Sequence, residues 1–242
     1  MNKLKRLYFG LFPHRMKSAD YVERLREKGL DVGEGTYFFG PSKTEVDTQR
    51  PWMLHIGSYC KITSGVVILA HDYSRSVLRR VYGEIIGEAK KTWIGDNVFI
   101  GMNSVVLMGS HIGNNVIIGA GSVVSGSIPD NCVAAGVPAR VICSLEDYYN
   151  KRKAKSPKEG LEYAREFIEF SGRQPTEAEM GPFWWDFMPR DVDQLRDKGI
   201  FTHLSGDNEM EILHEFQETE PLYANFQVFL DEVKSEGTKD KV

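Results

Sequence analysis

From Ile94 the apolar positions of the chain recur every six residues. The units read IGDNVF, IGMNSV, VLMGSH, IGNNVI, IGAGSV and VSGSIP, ending at Pro129. An aliphatic residue opens each unit: Ile94, Ile100, Val106, Ile112, Ile118 and Val124. The fifth position is always small or aliphatic, and Gly stands second in four of the six. The same register runs upstream through IGSYCK from Ile56, ITSGVV from Ile62 and the start of a further unit at Ile68. A helix needs a period near 3.6, and a half-buried strand alternates by two. A six-residue unit instead suits one short strand plus one sharp bend, so that three units close a triangular turn and successive turns stack as parallel strands. The opening aliphatics then fill the interior in ladders, while Gly and Asn take the left-handed bends. Each turn buries its ends only against a neighbour, so the coil needs several turns and a cap. The pattern predicts a mainly β fold, a parallel β-helix over residues 51–143.

The flanks read differently. SADYVERLREKGL, residues 18–30, has the pattern of a short helix. Ser18 or Asp20 can accept from its first free amides, and Gly29 can end it in the left-handed conformation. The Gly- and Pro-rich stretch from Asp31 to Pro51 carries strand and turn signals, so residues 1–50 are expected to hold a helix and an irregular first coil. Residues 144–242 read as a helical extension. Leu161, Ala164, Phe167 and Ile168 mark one helix face, and Ser156-Pro157 marks a break or a new start. The aromatic knot Phe183, Trp184, Trp185, Phe187 and Met188 suits docking of these helices onto the coil, or stacking on a sugar ring.

The rhythm fails once. Ile68 opens a unit, but the chain leaves the coil at His71 and regains it at Trp93, an excursion over residues 71–92. Loops on a rigid scaffold are where function is commonly placed, and a histidine at the base of one is well held yet open to a ligand. Arg75, Arg79 and Arg80 within it suit a phosphate or an anionic acceptor, or else form a solvated basic face. Asp72 is adjacent to His71, though neighbours along an extended segment point apart.

Charge and composition narrow the classes. The net charge is −4, giving no general attraction to nucleic acid, but it divides into about +5 for residues 1–143 and about −9 for 144–242. Cys60, Cys132 and Cys143 are odd in number and lack metal-type spacing, which fits a reducing, cytoplasmic setting. The start, MNKLKRLYFGLFPHRMK, is basic and apolar, but its apolar stretch is interrupted and no small-residue cleavage site follows, so it does not read as a signal peptide. It suits either contact with a membrane surface or, the more ordinary expectation, packing on the rest of the protein.

Residues 93–142, ending in GAGSVV…IP…N…V.AGVPARVI, together with the histidine-bearing interruption, resemble the hexapeptide-repeat acyltransferases. The likeness is to the branch that includes galactoside and maltose, xenobiotic and polysaccharide O-acetyltransferases. It implies a left-handed coil, although parallel crossovers in general are right-handed. It also implies homotrimers with active sites between subunits, acetyl-CoA as co-substrate without a metal, and His71 as general base. By the same resemblance Ala120 meets the pantetheine arm and Arg140 lies near the CoA nucleotide. Ser125 stands where relatives often have Thr, and Gly126 where many have Lys, so one cation near the phosphates is missing. Trp93 is a candidate for the thioester side or a cover for the coil.

Other readings compete. A zinc hydratase on the same coil needs several histidines on adjoining turns, and only His71 and His111 are candidates. A non-catalytic trimeric scaffold, and an antibiotic or amino-sugar acceptor, also remain open. The sequence does not distinguish O-acetylation from N-acetylation.

Overall fold

The computed structural model describes residues 3–200 and 205–239. It divides into two compact units, Met1–Tyr148 and Tyr149–Val242.

The first unit is the coil. Its strands fall into three parallel sheets, one for each side of the triangle. Ile56 lies on Ile94, then Ile112, then Ile128 in the first sheet. Phe38, Ile62, Ile100, Ile118 and Ala134 are stacked in the second. Val46, Ile68, Val106 and Val124 are stacked in the third. All nine opening aliphatics from Ile56 to Val124 are fully buried. At about 1.5–3 kcal/mol for each fully buried side chain, these ladders are the main stabilising element.

The bends follow from what the hexapeptide places there. Asn97, Asn103 and Asn115 have φ of 53°, 58° and 55°, a region Asn tolerates better than most residues. The side chains of Asn97, Asn115 and Asn131 form a ladder of 2.9 Å amide bonds along one corner. A side chain at Gly101 would begin 2.4 Å from the Ala120 nitrogen, so this turn can approach the next only with Gly there. Ser104, Ser110 and Ser122 are fully buried, and each hydroxyl donates to a carbonyl of the coil, such as Ser122 to Gly119 at 2.6 Å.

Helix α1 (Lys3–Leu11) precedes α2 (Ser18–Glu27), whose Val22 and Leu25 join the coil's core and close its first end beside Val32 and Phe38. The expected cap from Ser18 or Asp20 does not form. No side chain caps α2; buried Ser18 instead accepts the Phe38 N–H at 2.9 Å, because an irregular first turn leaves that amide without a strand partner. Gly29, at φ 90°, follows the helix as expected. Strands Asp31–Val32, Tyr37–Phe38 and Glu45–Val46 form the irregular first turn. Helix α3 (Arg75–Tyr82) lies in the excursion, and the far end of the coil finishes in an antiparallel hairpin of Cys132–Gly136 and Ala139–Ser144.

Helix α4 (Leu145–Ser171) continues through Pro157, where a break or a new start was expected. Proline removes one amide and crowds the carbonyl four residues back. The helix survives because Gly160, Leu161 and Ala164 beyond it are buried, with Arg152 and Glu159 paired across the proline at 2.6 Å. Helices α5 (Val192–Asp197), α6 (Glu209–Gln217) and α7 (Phe226–Lys239) complete the second unit. The aromatic knot is that unit's own core: Trp184, Phe187 and Met188 are buried with Leu161, Ala164, Phe216 and Phe229. Burial leaves Trp184 and Phe187 without a free face for sugar stacking, while Phe183 and Trp185 pack against the same cluster and are partly buried.

Candidate active site

The excursion leaves the corner between the third and first sheets. Its base is closed by an antiparallel bridge between His71 and Ala89. The return is fixed by Thr92, whose buried hydroxyl donates to the Leu69 carbonyl at 2.6 Å and accepts the Gly109 amide at 3.2 Å. His71 is thus anchored in backbone and half open at its side chain, which is 18% exposed.

Its partner is Asp47. The His71 Nδ1–H donates to Asp47 Oδ2, which also accepts the Ala70 N–H at 3.2 Å, while Oδ1 accepts the Gln49 N–H at 3.0 Å. The carboxylate is 4% exposed. Burial alone would push its proton affinity up. The Gln49 amide, the His71 side chain and the Ala70 amide together outweigh that and hold it below the ordinary carboxylate value. A fixed anion on Nδ1 sets the tautomer of the ring, leaving the Nε2 lone pair as its basic site.

Sequence reasoning missed Asp47. It lies 24 positions before His71, in the irregular first turn where no hexapeptide register is visible. In the structure Glu45-Val46 pairs in register with Val67-Ile68, which places Asp47 beside the end of that strand. Asp72, the nearer carboxylate, does something else. It accepts the amide and hydroxyl of Ser74 at 3.1 and 2.9 Å, turning the chain into α3, and these bonds hold it below its ordinary value.

The other candidates fall into groups. Ser125 and Gly126 follow Val124 on the corner that also carries His71, and a side chain at Gly126 would meet nothing, so this edge is open. Ala120 is exposed but stands on the next corner, between the second and third sheets. Arg140 is exposed in the terminal hairpin, bonded to the Ala139 carbonyl at 2.9 Å. Trp93 sits in an outer ladder of the first sheet, stacked 3.6 Å from His55, with His111 beyond at 6.3 Å and the Lys91 ammonium 4.9 Å from its ring. His55 in turn meets Asp31 at 2.7 Å. Arg75 donates to the Asp72 carbonyl and lies over Tyr73; with Arg79, Arg80, Val77 and Ile85 these residues line a concavity of about 460 Å³ on the excursion. Among the described residues no three His, Cys, Asp or Glu side chains form a metal-ligand set.

Residues 91–126 match the family model of the bacterial transferase hexapeptide, six repeats. The chain is 39% identical over 141 residues to "Protein CapG" of Staphylococcus aureus, covering 58% of this chain and 81% of that protein. It is 33% identical over 138 residues to "Putative acetyltransferase YvoF" of Bacillus subtilis, covering 57% of this chain and 72% of that one. A shorter match of 55 residues, 54% identical, joins 23% of the chain to 28% of "Putative lipopolysaccharide biosynthesis O-acetyl transferase WbbJ" of Escherichia coli. With its repeats, its parallel coil and relatives of this similarity, the chain belongs to the hexapeptide-repeat acyltransferases, the enzymes built on a left-handed parallel β-helix.

Proposed function

We propose that the protein is an acetyl-CoA-dependent O-acetyltransferase that acylates a saccharide hydroxyl, with His71 as general base. The observation that carries this reading is the Asp47–His71 pair at the mouth of the excursion. His71 Nε2 takes the acceptor's hydroxyl proton as that oxygen attacks the thioester carbonyl carbon. The tetrahedral oxyanion is met by backbone N–H groups of the coil edge, and its collapse expels the CoA thiolate, which recovers the proton from the imidazolium. Asp47 keeps Nδ1–H pointed inward and offsets the positive charge that His71 gains in the transition state.

The open edge carrying Ser125 and Gly126 fits the arm of CoA, and exposed Arg140 its phosphates. Ala120 is on a different corner from His71, so one CoA touching both is most simply held between two chains. That favours a homotrimer with sites between subunits. Trp93 has a weaker claim, since its ring is already stacked on His55. The saccharide acceptor is suggested by the lipopolysaccharide O-acetyl transferase among the relatives. A cytoplasmic setting goes with use of acetyl-CoA.

Thiol release from acetyl-CoA, measured against sugars, sugar nucleotides, serine and aminoglycosides, tests the reading. Acceptor-dependent release should fall by about 10²–10⁴-fold in His71→Ala, the range of a lost general base. Full activity in that variant would overturn the assignment of the base. An aminoglycoside as the only responding acceptor would overturn the saccharide assignment.

A further inference from the structure

We infer that α1 is an anchor for an anionic lipid surface, holding the coil against a membrane without crossing it. Among the described residues no helix is long and apolar enough to span a bilayer. Helix α1 has another design. Phe9 is buried against the protein, yet Leu4, Leu7 and Leu11, spaced to share one face, are 78%, 65% and 67% exposed. Tyr8 and Phe12 extend this apolar face, with Arg15 bonded to the Tyr8 hydroxyl at 2.9 Å and lying over the Phe12 ring. Packing on the rest of the protein, the ordinary expectation for this segment, accounts for Phe9 and leaves the leucines outside.

Charge identifies the partner. The first seventeen residues hold five lysines and arginines and no acidic residue, in a chain whose net charge is −4. Lys3, Lys5 and Arg6 fall in the first two turns of α1, and no acidic residue is in its first turn. Cations there oppose the helix dipole and weaken a nine-residue helix in water. An anionic surface reverses that sign. A second copy of the same face would bring like charges together, whereas phosphate headgroups complement the cations while the leucines enter the acyl boundary. One of the cations, Lys5, is already paired with Asp20 at 3.0 Å, a contact between α1 and α2.

Co-sedimentation of the full chain with phosphatidylcholine vesicles, with and without phosphatidylglycerol, tests this inference. Binding should require phosphatidylglycerol and weaken at high salt. It should fall by about tenfold or more in Leu4→Gln/Leu7→Gln/Leu11→Gln, whose unfolding temperature and oligomeric size should match the wild type because those side chains contact no core. Absence of binding to the anionic vesicles, or equal binding by the triple variant, would overturn the inference. So would a change of oligomeric size in that variant, which would make the face a contact between subunits. None of these outcomes depends on catalytic activity.

Discussion

Asp47→Asn is the most informative single change. Asparagine keeps the shape and one oxygen, but Asp47 accepts from three donors with two oxygens. Turned to keep the Ala70 and His71 bonds, the amide must face its NH₂ toward the Gln49 N–H. That arrangement preserves the ring's tautomer and removes the charge. At about 4 Å between charge centres and an effective dielectric near 20, a carboxylate attracts an imidazolium by about 4 kcal/mol. The amide dipole and water reaching the half-open ring recover part of this, leaving a barrier higher by about 3 kcal/mol and a kcat lower by about a hundredfold. KM for acetyl-CoA should move little, since Asp47 is buried beneath the ring. Steady-state thiol release separates the two constants. A kcat within about twofold of wild type, with His71→Ala inactive, would reduce Asp47 to a structural role. The same variant has an independent signature in stability. The folded carboxyl lies below its ordinary value of 3.8, so its contribution is complete above that pH and is lost as pH falls through the lower folded value. Asp47→Asn should therefore flatten the pH dependence of unfolding below about pH 4.

Three further changes probe the scaffold. Ile100→Ala empties a fully buried rung between Ile62 and Ile118 and should cost about 2–5 kcal/mol in denaturant unfolding. Asn115 holds φ 55° and two ladder bonds, so Asn115→Ala should lose about 2 kcal/mol, and Asn115→Gly visibly less because glycine relieves the backbone term; equal losses would assign the effect to the ladder alone. Burial pushes the Cys60 thiol up to about 11 and raises that of Cys132 as well. Half-buried Cys143 should thus be the first to react with a disulfide reagent at neutral pH, with Cys60 reacting only on unfolding.

The hexapeptide period determined the coil, its ladders and the place where it opens. Those features are local: strand, bend and inward position all lie within six residues, and the same rule repeats in the next six. His71 stood out because it breaks a regular pattern. The orienting carboxylate did not, since Asp47 reaches His71 across 24 residues from an irregular turn with no visible hexapeptide register. Tertiary packing likewise overrode local signals elsewhere. Ser18 serves Phe38 instead of its own helix, Pro157 stays within α4, and Trp184 and Phe187 fill a core that their sequence alone did not locate. For Ser18 and the two rings, a buried amide or ring found a partner distant in the chain, and for Pro157 burial of the helix face beyond it outweighed the lost amide; in each case packing exceeded the propensity that the sequence displays locally.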